Sequence, residues 1–278
     1  MNFFRYQEDK IPVACFLTLS VFDVAVYLFA SSAIAIFWFC LTILPRVCIC
    51  SWNHHHQHVL TFHQKFLNRL LELSFSFHTG ITTNAWVLHH VLGHHVNYLD
   101  QSMDESGWKS KDGELMGEME YTLNIAFTGY PRAFVVGKQY PKYLVGFVVM
   151  TTLVTSLLAL MFYFDWINAL FVFLLPMVIG YLTTCWHTYY HHAGLESDDP
   201  FKASHNIRHR GYNVLTGNLG YHTAHHIKPG LHWSRLPEYH ATIAHSIPDE
   251  LYVSPFWPFQ KLKWLQGFFT PALKPEKL

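Results

Sequence analysis

The sequence predicts an all-α fold: an integral membrane helical bundle of two transmembrane hairpins, about four spans, with a helical cap. Composition is the first observation behind this prediction. Hydrophobic residues make up 51% of the 278 residues and charged residues only 14%, whereas soluble proteins carry about a quarter charged residues. The second observation is that the apolar residues gather into long runs. A run of about 20 apolar residues is enough to cross a bilayer as a helix.

The first hairpin is predicted from residues 11–44, which are almost wholly apolar apart from Asp23 and the pair Ser31-Ser32. We place its spans near 11–29 and 32–50. Asp23 lies within the first span and should face the bundle, because a charged side chain in lipid is costly. Arg46 lies near the end of the second span, where its long side chain is free to extend to the membrane surface.

The second hairpin is predicted near 144–164 and 166–186, two apolar runs with a very short connection. The stretches 51–143 and 187–278 are more polar and should form a cytosolic or interfacial cap. Together with the hairpins they make one domain over residues 1–278.

Three stretches of the cap have a character of their own. Residues 67–77 are mostly apolar and are followed by polar residues, which predicts an interfacial or re-entrant helix. Residues 101–120 combine acidic residues with glycines, which predicts a solvated loop and a candidate docking face. The aromatic residues of 256–269 suit the membrane interface.

The charges give an independent indication of topology. All 19 Lys and Arg residues lie outside the apolar cores of the hairpins. Because each hairpin crosses the membrane twice, these residues and the whole cap should lie on one side, which the positive-inside rule makes cytoplasmic. A formal net charge of zero argues against nucleic acid as a partner. We expect a bacterial inner membrane, because no retrieval or transit signal is evident.

Histidine is the compositional outlier, with 21 residues, most of them in four clusters. Each of the first three clusters lies at or near the end of an apolar segment. Residues three and four apart share one face of a helix, so the spacings within 54–58, 89–95, 187–192 and 222–226 direct several imidazoles to the same side. Four independent clusters on one membrane face are not expected from core packing alone.

Such clusters predict metal binding, but histidine alone does not name the metal, since imidazole binds Fe, Zn, Cu and Ni. Zinc usually takes about four protein ligands. The number of histidines here instead fits two octahedral sites with room for oxygen. Two redox-active irons are therefore the economical interpretation.

The pattern HxxxH, HxxxHH, a lone histidine and HxxHH between membrane hairpins resembles the integral-membrane fatty acid desaturase and hydroxylase superfamily over roughly residues 11–240. The motif GNLGYHTAHHIKPGLHWSRLPEYH at 217–240 resembles the third histidine box of the desaturases. HHVLGHH at 89–95 and YYHHAGL at 189–195 are instead similar to the membrane alkane hydroxylases. The usual second box of the desaturases has one residue fewer before its paired histidines.

The resemblance implies two irons and nine histidine ligands. His192 is preferred to His191 as the lone ligand because it precedes Ala193-Gly194, and His191 stays an alternative. Asn218, Asp100 and His187 are candidates for orienting imidazoles by hydrogen bonding. The nine implied ligands are His54, His58, His90, His94, His95, His192, His222, His225 and His226.

The resemblance further implies an O2-dependent oxidoreductase acting on a fatty-acyl lipid or a free fatty acid, foremost a desaturase that forms a C=C bond. A fatty acid or alkane hydroxylase, or an oxidative decarboxylase forming a terminal alkene, would use the same iron pair. The chain has no CxxC pair, so a separate ferredoxin-, rubredoxin- or cytochrome-type electron donor is expected. Phe37, Phe39, Phe147, Leu157 and Phe162 are candidate liners of the slot for the acyl chain.

A histidine-rich metal transporter is the alternative from another functional class. A transporter should carry ionisable ligands within its spans, near mid-membrane. The predicted spans contain Asp23 but no histidine in their cores. This distribution disfavours transport.

Overall fold

The computed structural model describes residues 3–254, so the aromatic stretch 256–269 lies outside the described residues. Within them the regular elements are all helical. Four helices are long and apolar enough to cross a membrane, which confirms the predicted all-α membrane bundle. In chain order the α-helices are α1 (Lys10–Phe29), α2 (Ser32–His58), α3 (Lys65–Thr79), α4 (Glu118–Gly137), α5 (Pro141–Phe164), α6 (Trp166–Ala169), α7 (Leu175–His192), α8 (Arg210–Thr216), α9 (His222–Ile227) and α10 (Leu236–Ile243).

Shorter helical turns complete the fold. Residues 3–254 contain two π-helices, Val87–His94 in the cap and Leu170–Leu174, which joins α6 to α7. The resulting continuous helix is the fourth candidate span, Trp166–His192. The 3₁₀-helices are Gln7–Asp9, Trp233–Arg235, Ala244–Ser246 and Asp249–Leu251.

The spanning helices run further than the apolar runs that predict them. The second continues past residue 50 to His58, and the fourth continues past residue 186 to His192. The hydrogen bonds of an α-helix join backbone groups, so a helix can continue through polar residues. Hydropathy therefore marks the membrane-buried part of a helix and not the residue at which it ends. The first and third histidine clusters therefore lie on the last turns of spanning helices.

A buried ion pair joins the two helices of the first hairpin. Asp23 faces the bundle, as expected, and is bonded to Arg46, whose Nη1 lies 2.7 Å from Asp23 Oδ2. Trp38 Nε1 donates to Asp23 Oδ1 at 2.7 Å. Arg46 also contacts Thr42 and His78 and is fully buried. The expectation that Arg46 extends to the membrane surface is wrong, because a carboxylate on the neighbouring helix offsets the cost of burying its charge.

Helix α3 covers the predicted stretch 67–77 and packs on the first hairpin. Leu71 and Phe75 are buried against Val13 and Ile49 of α1 and α2. The helix ends at Gly80, whose φ of +67° is costly for other residues. A Cβ there would also lie 2.6 Å from the carbonyl oxygen of Met177. Gly80 thus allows a close approach to the spanning helix, and the π-helix that carries the second histidine cluster follows at Val87.

Candidate metal centre

The last turns of α2 place two histidines of the first cluster side by side. His54 and His58 are four residues apart, and their Nε2 atoms lie 3.0 Å from each other. The intervening histidines point elsewhere. His55 Nε2 contacts the carbonyl oxygen of Thr216 at 3.1 Å, and His56 Nε2 lies 3.2 Å from the Glu72 carboxylate.

The second cluster is shaped by the π-helix Val87–His94. In a π-helix the backbone bonds join residues five apart, and here the His95 N–H donates to the His90 carbonyl oxygen at 2.8 Å. His90 and His95 consequently share a face, with their Nε2 atoms 3.0 Å apart. His94 faces a different side. The additional residue in this motif is thus accommodated by a wider turn that keeps two histidines together.

The third and fourth clusters meet across the cap. His192 ends α7, and its Nε2 lies 3.0 Å from the Nε2 of His222 on α9. His226, one turn along α9, has its Nε2 3.2 Å from that of His222. His225 projects from α9 toward the first cluster, with its ring centroid 4.7 Å from that of His54.

These contacts assemble two groups of imidazoles. We call His54, His58, His90, His95 and His225 the five-histidine group, and His94, His192 and His226 the three-histidine group. In each group one nitrogen from every histidine lies within 4.8 Å of all the others. His222 stands at the edge of the three-histidine group. The two groups adjoin where the rings of His95 and His226 stack at 4.1 Å.

The packing of the nitrogens fits metal ions better than hydrogen bonds. A neutral imidazole has one N–H and one lone pair, yet His54 Nε2 lies within 3.0 Å of both His58 Nε2 and His90 Nε2. One nitrogen cannot satisfy both neighbours through protons alone. Among the residues that the structure describes, the Nε2 atoms of His94 and His225 are buried without any hydrogen-bond partner. Converging lone pairs of this kind are what a metal ion requires.

Burial keeps these imidazoles neutral. Desolvation, followed by repulsion from neighbouring histidines, lowers the pKa of His90, His95 and His225 well below the ordinary value. The same two causes lower the pKa of His222 and His226. The histidines therefore offer lone pairs at neutral pH without first losing a proton.

An open cleft leads to these groups from between α2, α7 and the π-helix. It is partly open to solvent and has a cavity volume of about 60 Å³. Val47, Trp86 and Leu219 supply apolar wall, and the lining includes imidazoles from the five-histidine group and from the edge of the three-histidine group. Its lining residues are Val47, Cys50, Ser51, His54, Trp86, His90, Thr183, Thr184, His187, Thr188, His191, Leu219 and His222.

A family model described as fatty acid desaturase matches residues 31–259. That range holds most of the chain and all four histidine clusters. The chain belongs to the fatty acid desaturase family. None of the curated proteins and none of the solved structures matches it. Membership in the family, the four candidate spans and the histidine groups identify an integral-membrane, metal-binding oxidoreductase of the desaturase or hydroxylase type, acting on acyl chains.

The structure of this desaturase-family chain brings together eight of the nine implied ligands in the two groups and places the ninth, His222, against two of them. His192, not His191, belongs to the three-histidine group. The His191 ring stacks on His222 at 3.8 Å, and its Nε2 is buried without a hydrogen-bond partner among residues 3–254. His191 therefore contacts His222 and lines the cleft, but belongs to neither group.

The three residues expected to orient imidazoles make their hydrogen bonds elsewhere. Asp100 is exposed, and its carboxylate accepts from the backbone and hydroxyl of Ser102. Asn218 Nδ2 donates to the Trp233 carbonyl oxygen at 3.1 Å. His187 Nε2 lies 2.9 Å from the Tyr212 hydroxyl.

Two other contacts set the imidazole tautomers in the three-histidine group. His192 Nδ1 lies 2.9 Å from the Ala203 carbonyl oxygen, an acceptor, so the proton is on Nδ1 and Nε2 keeps its lone pair. His94 Nδ1 similarly lies 2.8 Å from the carboxylate of Asp104. The sequence did not indicate Asp104 as a site residue, because Asp104 lies in the acidic stretch 101–120, which is predicted to be a solvated loop. Parts of that stretch are exposed, but Asp104 and Trp108 are buried.

The cleft does not follow the predicted slot between the spans. None of Phe37, Phe39, Phe147, Leu157 and Phe162 is among its lining residues. Phe37 is largely exposed on the outer surface of α2, and Phe147 packs in a core with Ala85 and Leu88. Hydropathy identifies apolar spans, but which faces of them turn inward depends on packing that the sequence alone leaves open.

Proposed function

We propose that the protein is an O2-dependent fatty-acyl desaturase in which the nine histidines hold two irons. The cleft carries this proposal. Its apolar wall suits a hydrocarbon chain, and its lining includes His54 and His90 from the five-histidine group together with His222 beside the three-histidine group. A chain bound there has its carbon–hydrogen bonds facing both sides of the centre.

Bound irons would supply the oxidising chemistry, activating O2 to remove hydrogen from an unactivated carbon–hydrogen bond. The protein's own residues hold the acyl chain, orient the imidazoles and shield the chain from water. Val47 and Leu219 keep water from the chain, and Trp86, whose ring lies 4.9 Å from that of His90, supports both the cleft wall and an imidazole of the five-histidine group. The hydrogen bonds of His94 and His192 keep their Nε2 lone pairs directed into the three-histidine group.

The overall reaction needs a partner. Removing two hydrogen atoms from the acyl chain while reducing O2 to two waters takes two further electrons and two protons. We propose that a separate ferredoxin-, rubredoxin- or cytochrome-type carrier delivers the electrons to the cap. We also propose that the cap faces the cytoplasm of a bacterial inner membrane, because the Lys and Arg residues lie on its side of the hairpins.

A hydroxylase is the second candidate, favoured by the second histidine cluster. The sequence of this cluster resembles that of the membrane alkane hydroxylases, and its π-helical turn brings together two histidines that are five residues apart, His90 and His95. Oxidative decarboxylation of a fatty acid to a terminal alkene would require the same centre. Metal transport is disfavoured, because the histidines lie at the ends of the spanning helices and the buried Asp23 is already paired with Arg46.

Mass spectrometry of lipids and hydrocarbons from a host expressing the protein tests these candidates. The His222→Ala variant is the inactive comparison. His63→Ala is the matched control, because His63 is exposed and belongs to neither group. Iron analysis of the purified proteins should give about two irons per chain for the wild type and for His63→Ala.

The products separate the alternatives. Acyl chains lacking two hydrogens, absent with His222→Ala, are the expected result and the position of the double bond would identify the attacked carbons. Chains gaining one oxygen would replace the desaturase with the hydroxylase, and alkenes one carbon shorter would replace it with the decarboxylase. A His222→Ala variant with full activity and iron would refute the proposed centre.

A further inference from the structure

We propose that Asp104 is a positioning residue for one metal only, the iron of the three-histidine group. The inference rests on the proposed function, since it requires two irons. It assigns to Asp104 the tasks of fixing the tautomer of His94 and of placing one negative charge beside that iron. The two irons are therefore held by chemically different surroundings.

Asp104 is held against His94 by a built arrangement of hydrogen bonds. Asp104 Oδ1 lies 2.8 Å from His94 Nδ1, and each of the two side chains is only 1% exposed. The backbone N–H of Ser106 donates to the same oxygen at 2.7 Å. The Asp104 backbone N–H donates to the Asp100 carbonyl oxygen at 3.0 Å, which fixes the turn.

The contact selects one tautomer of His94. A buried carboxylate oxygen 2.8 Å from Nδ1 accepts a hydrogen bond, so Nδ1 carries the proton and Nε2 keeps its lone pair. Nε2 is the atom of His94 that is buried without a hydrogen-bond partner. It faces His192 and His226, the other members of the three-histidine group.

No other implied ligand has a partner of this kind within residues 3–254. His192 donates to a neutral carbonyl, and the Nδ1 atoms of His95, His222 and His226 are buried without partners. Three further buried carboxylates among the described residues contact histidines outside the nine, namely His56 beside Glu72, His78 beside Asp23 and His232 beside Asp9. The five-histidine group thus consists of neutral imidazoles, while a carboxylate supports the three-histidine group.

The difference has a physical consequence for the metal. A carboxylate that accepts the distal N–H of a ligating histidine makes the imidazole a stronger donor and fixes its orientation. Its charge also stabilises a nearby cation, since attraction is strong where water is excluded. The three-histidine group offers fewer nitrogen ligands than the five-histidine group. The negative charge of Asp104, and the stronger donation that it gives His94, would compensate for this smaller number.

Iron binding by Asp104→Asn tests the inference. The amide is nearly isosteric and can still accept from His94, but it removes the charge. Loss of such a partner costs roughly 10- to 100-fold in metal affinity, so under limiting iron the variant should retain about one iron per chain where the wild type holds two. The matched control is Asp100→Asn, the same substitution at an exposed acid four residues earlier, which should keep both.

Mössbauer spectra of ⁵⁷Fe-loaded protein give a readout independent of activity. At saturating iron, Asp104→Asn should change the signal of one iron and leave the other as in the wild type. Unchanged affinity for both irons, or equal loss of both with an unchanged melting temperature of the iron-free protein, would overturn the inference. Should Asp104→Asn fail to fold, Asp104→Glu and Asp104→Gln differ in charge alone, and only the Glu variant is expected to retain the second iron.

Different results would refute the role of Asp104 and the proposed function. A wild-type protein that binds no iron would overturn the proposed function and, with it, the role of Asp104. A wild-type protein with two irons and an Asp104→Asn variant with the same two affinities would overturn the role of Asp104 alone.

Discussion

Replacing Arg46 by methionine should strongly destabilise the first hairpin. Arg46 makes hydrogen bonds to both carboxylate oxygens of Asp23 and further contacts to Thr42 and His78. Methionine fills similar space but provides none of these bonds. It would leave the Asp23 carboxylate, whose side chain is 3% exposed, with Trp38 as its remaining hydrogen-bond donor within the described part of the chain.

The magnitude follows from leaving a charge buried without its partner. Removing one member of a buried pair typically costs about 3–5 kcal/mol. The double variant Asp23→Asn/Arg46→Met should cost less than Arg46→Met alone, because a neutral amide keeps an acceptor for Trp38 and no charge remains. The surface pair Arg235–Glu238, 3.9 Å apart with both side chains more than half exposed, is the control. Its Arg235→Met variant should cost about 0–1 kcal/mol.

The free energy of unfolding in mixed detergent micelles, measured for the single and double variants, gives the coupling between the two residues. A cost below about 1 kcal/mol for Arg46→Met would refute the reasoning, since that is the value of an exposed pair. So would a double variant that is less stable than Arg46→Met, because the penalty would then not come from the unpaired carboxylate.

Three further predictions concern the centre and its surroundings. Deleting Leu92 should convert the π-turn to an α-turn, in which His90 and His95 (wild-type numbering) are four residues apart and still share a face; iron content should stay near the wild-type value, and loss of iron would contradict this account of the turn. Val47→Phe should narrow the cleft and lower acyl-chain turnover roughly 10-fold or more without loss of iron, whereas Leu44→Phe on the exposed face of the same helix should not; equal turnover in both would exclude the cleft as the substrate site. Burial lowers the pKa of His89 to about 4, so between pH 6.5 and 4 the unfolded chain binds a proton at this residue that the folded chain does not. As the pH falls through this range, His89 should lower the free energy of unfolding of the iron-free protein by up to about 1.4 kcal/mol per pH unit. A melting temperature that does not fall from pH 7 to pH 5 would contradict this prediction.

The membrane architecture was predictable because a bilayer imposes a strict requirement on sequence. A spanning helix needs about 20 apolar residues. Four runs of that length in one sequence therefore predict four spanning helices. The clusters of histidine were equally visible, since the spacing of His54 and His58 or of His222 and His226 is that of one helix face. Their assembly into two groups needed the additional information that α9 projects histidines in two directions.

Other features depended on geometry that the sequence does not display. A one-residue difference in spacing reads as a break in helical periodicity, but the chain accommodates it as a π-turn that keeps His90 with His95. Asp104 is indistinguishable in sequence from its exposed neighbour Asp100, because burial and not residue type gives it a contact with His94. Arg46 looked like a surface anchor since its counter-charge lies 23 residues away, on another helix.

Because α2 ends in the centre, helix length sets the depth at which chemistry occurs. From Ser32 to His54 the helix rises about 33 Å at 1.5 Å per residue, slightly more than the roughly 30 Å thickness of the hydrocarbon layer. The histidines of its last turns therefore lie about one full hydrocarbon thickness from the start of the helix. For a substrate that enters from the bilayer, we expect the length of this helix to decide which carbon of an acyl chain can reach the histidines.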